Sequence, residues 1–203
     1  MGYQPEVKTL EGSSAAVWDD GTGGTGVLIH PWTTISQGDG EGQRLGNKIK
    51  PLRLEIIMRY YQPSEATASA HEPCPYRWCM TNGKLAEVTL TEFNTAGFLT
   101  GTAQDTTFWP PKPKDLCGRI LRSGQGNLSP SWYDPDGAGT DTRTYRFKYI
   151  RIVLNFRGTV WRYLQDASTD PNNSCPQLFR WSSHPNDADL GCKLRYRLYY
   201  RDA

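Results

Sequence analysis

Between Lys50 and Gln62 the chain alternates strictly enough to dictate its local fold. Leu52, Leu54, Ile56, Met58 and Tyr60 fall at every second position, with Arg53, Glu55, Arg59 and Tyr61 among the residues between them. A period of two puts successive side chains on opposite faces of a strand. This segment is therefore predicted to be a long strand with one face on a core and the other in water.

Shorter runs of the same kind recur along the chain. Glu6 to Leu10, Ala15 to Trp18, Val27 to Ile29, Tyr76 to Met80, Arg119 to Arg122, Tyr145 to Phe156, Val160 to Leu164, Gln177 to Trp181 and Lys193 to Arg201 are the further strand candidates. Between them lie turn clusters such as Asp20-Gly21 to Gly26 and Asn82-Gly83. Gly and Pro number 20 and 14, about 17% of the chain against an average near 12%. One helix is predicted, over Thr89 to Phe98, where Thr89 and Glu92 have capping-box spacing and Gly97 is a stop. Trp109-Pro110-Pro111-Lys112-Pro113 is an extended connector, because Pro supplies no amide donor. Long loops are expected at Glu65–Pro75, Gly101–Asp115, Gly124–Asp141 and Asp166–Pro176.

Eight or more strands with one short helix and long loops imply an all-β sandwich of two packed antiparallel Greek-key sheets, a single jelly roll with eight main strands. An immunoglobulin-like sandwich also fits the strand count, but its spaced Cys–Trp–Cys pattern is absent. All-β chains of 203 residues routinely stay undivided, so one domain is expected over residues 1–203. No run approaches 18 apolar residues and no signal-peptide pattern opens the chain, so neither a membrane span nor a membrane partner is expected. Without such a signal, the five unpatterned cysteines read as buried free thiols.

Catalytic motifs find no anchor. His71-Glu72-Pro73-Cys74 with Cys79 contains fragments of a zinc-deaminase signature, but at the wrong spacing. The three histidines stand next to or near prolines, and no Gly-x-Ser-x-Gly elbow or phosphate loop is present. Asp39 and Glu41 read as a solvated acidic turn rather than a calcium site. Neither an enzyme, nor a metal, nor any other cofactor is expected.

Several phrases, in order, resemble the capsid proteins of small circular Rep-encoding single-stranded DNA (CRESS-DNA) viruses. They are Ile35-Ser36-Gln37-Gly38; Gln43-Arg44-Leu45-Gly46-Asn47-Lys48-Ile49 before the long strand; Tyr76 to Gly83; and Thr91-Glu92-Phe93 with Phe98-Leu99. Arg119-Ile120-Leu121, Phe147-Lys148-Tyr149-Ile150 and the closing Leu194 to Asp202 complete the set. The likeness runs from about Val7 to Ala203. It implies a virion component that forms an icosahedral shell, of sixty copies, around a single-stranded DNA genome. Assembly would take place in the host nucleus or cytoplasm, and the shell would engage a host receptor. The family's Arg-rich N-terminal arm is missing from this sequence: Met1 to Leu10 carries only Lys8. At a net charge of +2 per chain, sixty copies supply roughly +120, against one phosphate per nucleotide of a strand hundreds long or more. Polyamines, an arm outside this sequence or an empty particle would make up the difference.

The closing strand carries the clearest chemistry. Lys193, Arg195, Arg197 and Arg201 share one face with Tyr199, while Leu194, Tyr196, Leu198 and Tyr200 share the other. A solvated outer face explains this pattern as readily as a phosphate-binding one. Under the resemblance the strand lies in an inward-facing sheet, so its cations meet the genome and Tyr199 stacks on a base. Arg77, on a strand expected beside it, and Lys8, on the first strand, are expected to join them. Trp109, Trp132 and Tyr133 are candidate subunit-interface anchors, or else pins for their own loops. Arg44 and Asn47 are read chiefly as turn chemistry with added subunit contacts, Gly46 taking an unusual backbone angle and Asn47 tolerating one. A capsid protein of an RNA virus and a carbohydrate-binding jelly roll are the alternatives of the same fold, and a cupin-type enzyme lacks its histidines.

Overall fold

The computed structural model describes residues 6–18, 27–61, 74–84, 119–128, 147–164, 168–182 and 191–203. Nine strands run through them: β1 Lys8–Trp18, β2 Val27–Ile29, β3 Lys48–Tyr61, β4 Cys74–Gly83, β5 Arg119–Leu128, β6 Phe147–Asn155, β7 Trp161–Arg162, β8 Cys175–Ser182 and β9 Gly191–Asp202. One sheet has the order β1-β9-β3-β6, with the short β7 added beside β3, and the other has the order β2-β8-β4-β5. Every strand pairing is antiparallel.

With the two-residue β7 set aside, the pairing is nested. The first main strand pairs with the last, the second with the next to last, the third with the sixth and the fourth with the fifth. That is one long hairpin rolled so that alternate rungs fall in opposite sheets, the jelly roll with two Greek keys. The chain is all-β with eight main strands, as the alternating runs predict.

Both sheets turn apolar side chains inward. Leu54, Ile56, Met58 and Tyr60 of β3 meet Tyr76, Trp78 and Met80 of β4 in one buried cluster. Tyr60 and Tyr76 stack across the sandwich with ring centroids 4.4 Å apart. β5 accommodates the β4 rings by placing Gly126 opposite Tyr76 and Gly124 opposite Trp78. A Cβ at Gly124 would lie 2.7 Å from the Trp78 ring, so only glycine permits this approach.

The structure changes several expected boundaries. Lys8 to Leu10 of the first expected strand and Ala15–Trp18 of the second belong to a single strand, β1, with an irregularity between Ser14 and Val17, and Glu6 and Val7 precede it. Asn82-Gly83 ends β4 within its pairing to β8 rather than forming a turn after Met80. β5 continues to Leu128, into what reads as loop. In β3 the register slips between Pro51 and Arg53. Leu52 is the extra residue and is only half-buried, while Ile49 and Pro51 hold the inner face before it and Leu54 after it. A bulge suits this position, since Pro cannot donate to a ladder. The expected helix over Thr89–Phe98 lies outside the described residues, which contain one turn of 3-10 helix, Pro31–Thr33.

Candidate nucleic-acid interface

β9 sits between β1 and β3, so its outward residues form the middle column of a four-strand face. Lys193, Arg195 and Arg197 are exposed and Tyr199 and Arg201 half-buried, while Cys192, Leu194, Leu198 and Tyr200 are buried beneath them. The sequence reading of β9 therefore holds in its geometry. Register extends the pattern sideways in rungs. Arg201 faces Lys50; Tyr199 stands between Thr9 and Arg53; Arg197 between Glu11 and Glu55; Arg195 between Ser13 and Ile57; and Lys193 faces Arg59. On β6, Arg151 stands beside Ile57 and Tyr149 beside Arg59. Lys48, Lys50, Arg53, Arg59 and Arg151 thus join the four cations of β9 on one face, against the carboxylates of Glu11 and Glu55 and of Glu41 beside them.

Those two carboxylates organise their neighbours. Glu55 pairs with Arg53 at 2.5 Å and with Arg151 at 3.4 Å, and Glu11 pairs with Arg197 at 2.5 Å. Arg197 also donates to the Tyr199 hydroxyl at 3.3 Å. That hydrogen bond first, and Glu11 second, hold the proton on Arg197 more firmly than usual. Such exposed pairs add little stability, but they orient guanidinium groups and leave a surplus of positive charge. An open recess of about 480 Å³ lies among them, bounded by Glu11, Ser13, Glu55, Ile57, Arg195 and Arg197.

Two expected members of the face are elsewhere. Arg77 lies on β4, which pairs with β5 and β8 rather than with β9, so it belongs to the opposite sheet. It is buried there, and loss of hydration lowers its affinity for the proton. The sequence shows a strand with an arginine; it does not show which sheet the strand joins. Lys8 is on β1 but opposite Tyr200, an inward position. Its ammonium pairs with Asp202 at 2.8 Å and donates to the Gln43 carbonyl at 2.8 Å. Its charge is spent on joining the two strands.

Arg44 is fully buried within the protomer. It donates through Nε to the Ile35 carbonyl, through one terminal nitrogen to Gly46 O at 2.6 Å and Asn47 Oδ1 at 3.1 Å, and through the other to Ser168 O at 2.6 Å. Its guanidinium lies 4.3 Å from the centre of the Tyr163 ring. It locks the segment before β3 onto the segment before β8, and it is no surface contact. Asn47 is exposed, yet its carbonyl oxygen faces inward to Arg44. Neither Gly46 nor Asn47 has a positive φ: among the described residues only Gly42 and Gly158 do. Glycine freedom is needed at Gly42, one residue before Gln43, whose side chain accepts from the Gly40 amide. Trp109, Trp132 and Tyr133 lie outside the described residues.

Arg53, Arg59, Arg151 and Lys50 escaped the sequence reading of the site, although each occupies the polar phase of an alternating run. Only the pairing of β3 with both β9 and β6 makes them neighbours.

No family model matches the sequence, and no curated protein does. Among solved structures, a chain of Desmodium yellow mottle tymovirus is similar over 100% of this protein and 90% of its own length, at 11% identity and a TM-score of 0.36. The fold assignment rests on the strand order above and not on that loose overlap.

Proposed function

We propose that this protein is a viral capsid protein that self-assembles into a closed icosahedral shell, with the outer face of the β1-β9-β3-β6 sheet turned toward a packaged single-stranded DNA genome. The observation that carries the reading is the one-sided face itself: on adjoining strands of a jelly roll, the lysines and arginines outnumber the carboxylates of Glu11, Glu55 and the neighbouring Glu41. Opposite charge at this density recruits a polyanion through counterion release, without sequence preference. Rigid sheets supply the wall, and loops supply the contacts between copies, Trp109, Trp132 and Tyr133 among their anchors. The phrases that resemble CRESS-DNA capsid proteins favour DNA as the cargo; the cationic face alone suits RNA equally. A carbohydrate-binding module would also present exposed aromatics, but a neutral glycan gives this excess of cations nothing to neutralise.

Negative-stain electron microscopy of the purified protein tests assembly: closed particles are expected, and persistent monomers across salt conditions would refute it. Arg195→Glu with Arg197→Glu should lower the ratio of absorbance at nucleic-acid and protein wavelengths in those particles. An unchanged ratio would remove the cationic face from packaging, and nuclease digestion of the extracted cargo decides between DNA and RNA.

A further inference from the structure

We infer that the end of this face formed by Tyr61, Phe147 and Tyr149 is a stacking platform for an unpaired nucleobase, so that the protein prefers single strands to duplexes. The inference rests on reading the face as a nucleic-acid interface, and it adds the class of strand recognised.

The face is divided. Around Arg197 the cations are tied to Glu11 and Glu55. Toward the end of β3 and the start of β6 no carboxylate stands among the described outward residues, and aromatic rings replace them. Tyr61 is opposite Phe147, and Arg59 opposite Tyr149. Arg59 holds its guanidinium carbon 4.9 Å from the Phe147 ring centre and 5.6 Å from that of Tyr61. The Lys193 ammonium is 5.8 Å from the Tyr61 ring. Phe147 and Tyr149 remain 46% and 62% exposed, with ring centroids 6.4 Å apart and tilted by 48°.

Two exposed aromatic rings on the same outward face as Arg59 and Lys193 match one kind of ligand closely. A base offers a flat π-surface attached to a phosphate, and sequence-independent single-strand binders use this combination of rings and cations. A duplex keeps its bases stacked inside and would meet only the cations. An apolar protein partner would have to desolvate Arg59 and Lys193 to reach the rings, at high cost.

The test is fluorescence anisotropy of the full chain with a labelled oligothymidylate and an abasic strand carrying the same number of phosphates. Wild type should bind the thymidylate more tightly. Tyr149→Ala should weaken that binding about 10-fold and leave the abasic strand unchanged. Tyr149→Trp should restore it, with tryptophan fluorescence quenched on binding, and Phe147→Ala should reproduce the selective loss. Equal wild-type affinity for the two strands, or an equal effect of Tyr149→Ala on both, would overturn the platform and leave the phosphate-binding face standing. If wild type bound neither strand, the interface reading would fall and the platform with it.

Discussion

On β9 the outward residues Lys193, Arg195 and Arg197 are exposed, whereas on β4 and β8 the outward residues Cys79, Thr81, Gln177 and Phe179 are completely buried. The two sheets share one core, yet in the second the wet outward side lies on the edge strand β5, at Ser123, Gln125 and Asn127, and not on β4 and β8. In the β1-β9-β3-β6 sheet the alternation of polar and apolar residues is clearest along β9 and the second half of β3, where water and core are the two environments on offer. In the β2-β8-β4-β5 sheet both phases of β4 and β8 are dry, so polar and apolar residues mix: Gln177 donates to the Gly83 carbonyl at 3.0 Å, and Arg180 is buried on the inner side near the Cys192 carbonyl. An open face can change its charges freely, and a closed one cannot.

That contrast breaks most readily at Phe179. Phe179→Asp places a carboxylate in a dry layer and should cost at least about 4 kcal/mol in urea denaturation. Ile57→Asp, at a 44% exposed outward position of the other sheet, should stay within about 0.5 kcal/mol. Equal losses would erase the distinction. Next in size is Arg44→Met, which keeps the bulk but strands the carbonyls of Ile35, Gly46 and Ser168; about 3 kcal/mol is expected. Gly124→Val forces a side chain into Trp78 and should cost about 1–3 kcal/mol, while Ser13→Val on the open face should leave the denaturation midpoint almost unmoved. The smallest effect is chemical. Burial pushes the Cys175 thiol on β8 up to about 12, so alkylation mapped by mass spectrometry at pH 8 should spare it until the protein unfolds. The unfolded thiol ionises near 9. Raising pH from there toward the folded value therefore removes stability, because only the unfolded chain gives up its proton.

The same contrast decides how much the sequence discloses. β3, β6 and β9 are legible because one of their faces meets water, and period two survives in the residue types. β4 is read short at Met80 because Cys74 to Gly83 has no such alternation: Arg77 and Thr81 are buried like Trp78 and Met80. The Leu52 bulge is invisible because Pro51 and Leu52 are both apolar, and either phase fits until the pairing with Tyr199 and Tyr200 fixes it. The site follows the same logic. The cations of β9 lie along one strand and can be counted in a single pass. Arg53, Arg59 and Arg151 become their neighbours only through ladders between residues far apart in sequence, and the inward Lys8 is legible only once its partner Tyr200 is known. Arg44 is the opposite error: a charged residue in a turn-like phrase reads as surface, and nothing local shows that backbone carbonyls surround it.

The nested pairing also sets a timetable. β9 follows all the other described strands in sequence and lies inside its sheet, between β1 and β3. Until the ribosome has released Gly191–Asp202, β1 has no partner among the described strands of its sheet and β3 is unpaired along one whole side. Closing contacts across so much sequence is slow, and unpaired strand edges stay exposed meanwhile. Folding of this sheet is thus deferred until β9 has emerged, and the cationic surface comes into being in the same step that completes the sheet.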